Sequence, residues 1–122
     1  MPVVIVSKTR YAGTVTPGDL NVETVIVEIP PQADDYLIEG YIDLSNMRAG
    51  DIVVVKEYIA VDGENYRLFA QATYSGVQPE PIIRFHTKTL LHDMKYKVTI
   101  TQTTGTPKSF PYKFILEIMG II

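Results

Sequence analysis

The sequence predicts an all-β domain, an antiparallel β-sandwich of about eight strands, with jelly-roll topology as the first reading and an immunoglobulin-like sandwich as the second. Three observations carry this expectation. Eight short stretches alternate apolar and polar residues, the two-residue period that gives a strand one buried and one wet face. Turn residues cut these stretches apart at intervals of roughly 8–15 residues, close to the strand spacing of sandwiches. No stretch sustains apolar residues at i, i+3, i+4 and i+7, so nothing reads as a helix. The immunoglobulin-like alternative is weakened by the lack of Trp and of a Cys pair.

The first expected strand covers Val3 to Lys8. Tyr11 to Leu20 contains Gly13, Pro17 and Gly18 and reads as a loop, so residues 1–20 form an N-terminal strand and arm. Val22 to Ile29 follows, with Val25, Val27 and Ile29 on one face and Glu28 on the other. Pro30-Pro31 stops it, because proline cannot donate to a ladder. Asp34-Asp35 supply a polar turn into Tyr36 to Leu44, which points Ile38, Ile42 and Leu44 inward and uses Gly40 as a bulge or close-packing point. Ser45 to Asp51 connects to the strongest strand, Ile52 to Val61. Asp62-Gly63 is a hairpin signal, since both residues tolerate positive φ. The return strand, Tyr66 to Tyr74, is expected to bury Tyr66, Leu68, Ala70 and Ala72. Ile82 to Leu91 turns Ile83, Phe85 and Leu91 inward and Arg84, His86 and Lys88 outward. Tyr96 to Thr103 shows the cleanest alternation, with Tyr96, Val98 and Ile100 opposed to Lys97, Thr99 and Thr101. Phe110 to Met119 completes the set and buries Phe110, Tyr112, Phe114, Leu116 and Ile118.

At 122 residues, the span 1–122 is one domain by length. A chain of this size buries roughly two-thirds of its unfolded surface, enough for a core without staples. The chain has no Cys, which excludes disulfides and thiolate metal sites and leaves the compartment open. Val3 to Val6 is too short for a signal peptide, and Met1-Pro2 reads as the native start of a soluble chain. No run approaches the ~18 apolar residues of a membrane span, so no membrane partner is expected. The net charge of −3 argues against a nucleic-acid partner. Residues 1–79 hold five basic and eleven acidic side chains, whereas residues 80–122 hold six and three. Such asymmetry attracts unlike ends of neighbouring molecules, or merely marks two solvated surfaces.

The residues that carry chemistry elsewhere find no matching pattern here. His86 falls mid-strand on an outward face and His92 lies in a turn beside Asp93, neither with a nucleophile and orienting carboxylate implied. Asp34, Asp35, Asp43 and Asp51 offer oxygens to calcium, but their spacing is not that of an EF-hand and turn formation explains them. No carboxylate pair is singled out for glycoside hydrolysis. The sequence therefore assigns no catalytic residue, no cofactor and no metal site. Among the eight tyrosines, Tyr66, Tyr96 and Tyr112 fall on inward faces, and Tyr11, Tyr41 and Tyr74 are candidate surface rings for a sugar. The run Thr99, Thr101, Thr103, Thr104, Thr106 reads as β-branched surface filling. The ends are unusual. Met119-Gly-Ile-Ile122 is apolar where a terminus is ordinarily polar and frayed. Together with Val3, Val4, Ile5 and Val6, the side chains of Met119, Ile121 and Ile122 are the candidate assembly contacts.

The segment Ile42-Asp-Leu-Ser-Asn-Met-Arg-Ala-Gly-Asp-Ile-Val-Val-Val-Lys-Glu-Tyr-Ile59, followed by Val61-Asp-Gly-Glu-Asn-Tyr-Arg67, resembles small uncharacterised β-sandwich proteins of thermophilic archaea and their viruses. Arg84-Phe-His-Thr-Lys88 and Ser109-Phe-Pro-Tyr-Lys113 belong to the same likeness, which covers about residues 36 to 118 and rests on structural motifs. The resemblance implies a non-enzymatic jelly-roll subunit of a virion, as capsid, turret or decoration protein. Its implied partners are further copies of itself and a major capsid protein, and no active site is carried over. The alternative is a carbohydrate- or receptor-binding module of the same fold.

Overall fold

The computed structural model describes residues 2–121. It contains β1 (Val3–Val15), β2 (Thr24–Ile29), β3 (Tyr36–Asp43), β4 (Ile52–Ala60), β5 (Arg67–Ser75), β6 (Ile82–Leu90), β7 (Lys95–Thr104) and β8 (Phe110–Ile121), with no helix among the described residues. One sheet has the order β1-β8-β3-β6 and the other β2-β7-β4-β5. Every neighbouring pair is antiparallel. The pairing is that of one long hairpin. β4 meets β5 at its tip, and β3–β6, β2–β7 and β1–β8 pair successively along its arms. Rolling the hairpin alternates its arms between two sheets, which is the jelly roll of the first reading. An immunoglobulin-like sandwich would instead group its first two strands in one sheet.

The core between the sheets holds Ile29, Ile38, Ile42, Val53, Val98, Ile100 and Leu116, with Tyr36, Tyr96 and Phe110 as its largest buried rings. Alternation predicts β3, β7 and β8 well, because their ladders to buried neighbours run unbroken over the segments concerned. Gly40 is a close-packing point, since a Cβ there would overlap the Phe114 ring.

The departures from expectation have physical causes. β1 runs on through the segment read as a loop. Tyr11 pairs with Phe114, Gly13 with Tyr112 and Val15 with Phe110. Gly13 suits this, because a Cβ would stand 3.2 Å from the Tyr112 hydroxyl oxygen. In β2 a bulge between Val25 and Val27 changes the face, so Ile26 and Val27 are both buried while Val25 is 46% exposed. In β6 the three-residue step from Phe85 to Lys88 opposes the two-residue step from Gly40 to Ile38. That extra residue flips the alternation. Lys88 and Leu90 consequently turn inward, and Leu91 is exposed. β5 departs furthest. Phe69 is its bulged residue, and Leu68, Ala70 and Ala72 are exposed with it, because β5 is a sheet edge and it is Tyr74 that packs against the core. Tyr66 lies before β5 and donates to Glu28 Oε2 at 2.8 Å on the outer face.

Candidate assembly surface

The described candidate contacts come together. Val3 pairs with Ile121, Val4 with Gly120 and Ile5 with Met119, so the two ends of the sequence form one two-stranded ribbon. Val6 is the bulged residue between Ile5 and Ser7. It closes over Gly120, where a Cβ would lie 2.7 Å from Val6 Cγ1. The neighbouring strand β3 reaches only to the pairing of Tyr36 with Ile118, and one further bond joins Met119 N–H to the Asp35 carbonyl at 2.9 Å. Beyond that point the ribbon has no lateral neighbour among the described residues.

It also lacks a full partner across the sandwich. β1 has 13 residues and the β2 edge of the facing sheet has six. Ser7, Lys8, Thr9 and Arg10 are accordingly exposed in succession on both faces of β1. Val3 is 64% exposed, Val6 55% and Ile121 63%, while Val4 and Met119 are half-buried. Ile122 lies outside the described residues. Alternation alone marks these residues as apolar strand, but it does not show that the two ends pair.

The remaining sequence candidates are scattered. His86 and His92 are exposed, and the backbone N–H of His92 donates to Asp35 Oδ1 at 2.9 Å. Asp34 and Asp43 accept from the N–H groups of Asp35 and Ser45, as turn formers do. Asp51 is buried with Lys108 at 3.1 Å.

Two polar clusters escaped sequence reasoning. Lys88 reaches across from β6 to Glu57 at 2.8 Å, and Tyr96 donates to the same carboxylate at 2.5 Å, tying the two sheets together. Burial, with the Glu57 carboxylate beside it, drives the Tyr96 hydroxyl well above its ordinary range. On the outer face of β7, Lys97 Nζ stands 5.0 Å and 4.3 Å from the Tyr58 and Tyr66 ring centroids. Glu23 there accepts from Thr99 and Tyr58, and these bonds hold its carboxyl below the usual value. Lys88 pairs with Glu57 in the first cluster, and hydroxyl donors engage Glu23 and Glu28 in the second. The bulge that turns Lys88 inward leaves no mark in the residue pattern.

No family model and no curated protein matches the chain. Among solved structures, that of the Gx strain of infectious bursal disease virus aligns over 96% of this chain at 12% identity, with a TM-score of 0.50. The VP2 subviral particle of infectious bursal disease virus aligns over 96% at 10% identity and a TM-score of 0.48. The Gt strain aligns over 97% at 10% identity and a TM-score of 0.46. This chain spans 32% of the length of each of these viral chains. The likeness to the Gx-strain structure is one of fold alone. It accords with the viral side of the sequence resemblance and supports no archaeal or thermophilic origin.

Proposed function

We propose that the chain is a non-enzymatic structural subunit of a virion or similar shell, as a capsid, turret or decoration protein acting through subunit contacts. Its partners are then further copies of itself and a major capsid protein, and its location is the virion. A jelly roll alone hosts many functions, so the surface must carry the argument. The observation that carries it is the exposed ribbon. Val3, Ile5 and Val6 on β1, with Ile121 beside them on β8, present large apolar side chains on a ribbon whose β1 edge is unpaired among the described residues. Contiguous apolar surface of this kind marks contact sites in soluble proteins, and an open strand edge adds main-chain hydrogen bonds to the contact. The fold likeness to the Gx-strain structure, at a TM-score of 0.50, is consistent with this role.

The test is light scattering behind size exclusion, on the full chain and on Ile5→Lys/Val6→Lys. Lysine on an edge strand opposes edge-to-edge pairing, and both side chains already lie near solvent, so folding should survive. The full chain should elute as an oligomer and the variant as a folded monomer. A full chain that stays monomeric at high concentration, or a variant that keeps the full oligomer, would overturn the reading.

A further inference from the structure

The outer face of the β1-β8-β3-β6 sheet carries an open aromatic site. The register sets Ala12 beside Lys113, Lys113 beside Tyr41 and Tyr41 beside Arg84, one row across four strands. The adjoining row sets Arg10 beside Ile115 and Ile115 beside Glu39. These residues face outward because Gly40, Ile42 and Phe114 between them face the core. Directly opposed side chains on neighbouring strands stand roughly 5 Å apart at Cβ, so Tyr41 has a cation on either side of it. The Tyr41 ring is 46% exposed. It walls a hollow of about 400 Å³ lined by Arg10, Ala12, Glu39, Lys113 and Ile115.

Three features leave this exposed ring open to a ligand. No cation of the described residues caps it, whereas Lys97 caps both Tyr58 and Tyr66. The ion pairs among the described residues involve Arg84, Lys88 and Lys108, so Arg10 and Lys113 meet no carboxylate there. Glu39 accepts from Thr87 at 2.8 Å through Oε2, the oxygen that also stands 3.9 Å from Arg84, and its Oε1 remains available.

We infer that this hollow binds a carboxylated saccharide. The sugar's C–H face stacks on Tyr41 over the apolar floor of Ala12 and Ile115, its carboxylate sits between Lys113 and Arg10, and a hydroxyl donates to Glu39. Glu39 decides the class of ligand. The dianionic group of a phosphomonoester has no O–H donor for that carboxylate and is repelled by its charge, while an acidic sugar brings one negative charge together with hydroxyl donors. The inference does not depend on assembly, since none of these residues belongs to the ribbon of Val3–Val6 and Met119–Ile121.

Calorimetric titration with 3′-sialyllactose and a glucuronate disaccharide tests it, with lactose as the neutral control and AMP as the phosphate control. At least one acidic sugar should bind, with lactose and AMP weaker by about tenfold or more. Tyr41→Ala and Lys113→Met should each weaken that binding by a similar factor at unchanged melting temperature and oligomer mass, and Tyr41→Phe should retain it. Binding of neither acidic sugar, equal binding of lactose, stronger binding of AMP, or full affinity in Tyr41→Ala would overturn the assignment.

Discussion

Asp51 lies beneath the loops at one end of the sandwich, 2% exposed, and its charge there is stabilised by groups far apart in the chain. Arg48 N–H and Lys108 Nζ reach Oδ2 at 2.9 and 3.1 Å. Gln102 Nε2 and Thr106 N–H reach Oδ1 at 3.4 and 3.2 Å. Burial, the largest influence, would raise the carboxyl pKa, but the Arg48 N–H, Lys108 and the Thr106 N–H together outweigh it and hold the pKa below the ordinary value. A depressed pKa means the folded state favours the ionised form. The stabilisation is complete above the unfolded pKa of about 3.9 and is lost as pH falls through the folded value. Asp51→Asn should therefore show a flatter fall in thermal midpoint below about pH 4 than the parent. Asp51→Ala removes the acceptor of the part-buried Arg48 and Thr106 N–H groups and the partner of Lys108, and should cost about 1–3 kcal/mol in denaturant unfolding at neutral pH. The sequence marks Asp51 only as a turn acid, because Lys108 and Gln102 approach it through the fold. Asp62 is the opposite case. Its carboxyl is pulled down to about 2, chiefly by the Asn65 backbone N–H, then by the Asn65 side chain and the Glu64 N–H, all neighbours in sequence.

At the scale of elements, the Asp62-Gly63 hairpin could be read directly because its chemistry is local. Gly63 N–H donates to the Ala60 carbonyl at 3.2 Å, and Gly63 has φ +78°. A Cβ there would also stand 2.7 Å from the Asp93 carbonyl oxygen. Gly63→Val should thus lose roughly 2 kcal/mol or more in chemical denaturation, through positive φ and that clash together. An unchanged midpoint would contradict this account of the turn. Gly40→Ala forces a methyl into the Phe114 ring, which packs 5.1 Å from Phe85, and should cost roughly 1–3 kcal/mol by overpacking. Strand order and bulges were less legible. Val25, Leu68, Lys88 and Leu91 each take a face other than the one alternation predicts, since a two-residue period carries no record of an extra residue or of a sheet edge. Tyr11 to Val15 is strand where the residues predict a loop, for a related reason. Its Gly13 signals a turn in isolation, yet here it makes room for Tyr112.

For the molecule as a whole, rolling a single hairpin brings the first and last strands together and leaves β1 and β6 as the edges of one sheet, β2 and β5 as those of the other. β5 is exposed along nearly all its length, and Leu68 and Phe69 are 51% and 55% exposed. Two modes of association follow from these edges. Antiparallel pairing of β1 with its own copy is self-complementary across a two-fold axis and closes after two subunits. Pairing of β1 onto β5 of a neighbour is head-to-tail, and extends into a series unless the rotation closes a ring. Charge favours the first mode at short range. When the pairing is centred on Val4 and Ile5, the apolar residues Val3–Val6 face one another, and Lys8 and Arg10 fall beyond the stretch where they would meet their own copies. The bulge at Val6 limits the paired stretch to about this length. The expected outcome in sedimentation velocity is a dimer whose mass does not grow with concentration, abolished by Ile5→Lys and indifferent to Phe69→Lys. A mass that climbs with concentration and is arrested by Phe69→Lys would assign the contact to β5 and make the assembly an open, head-to-tail one.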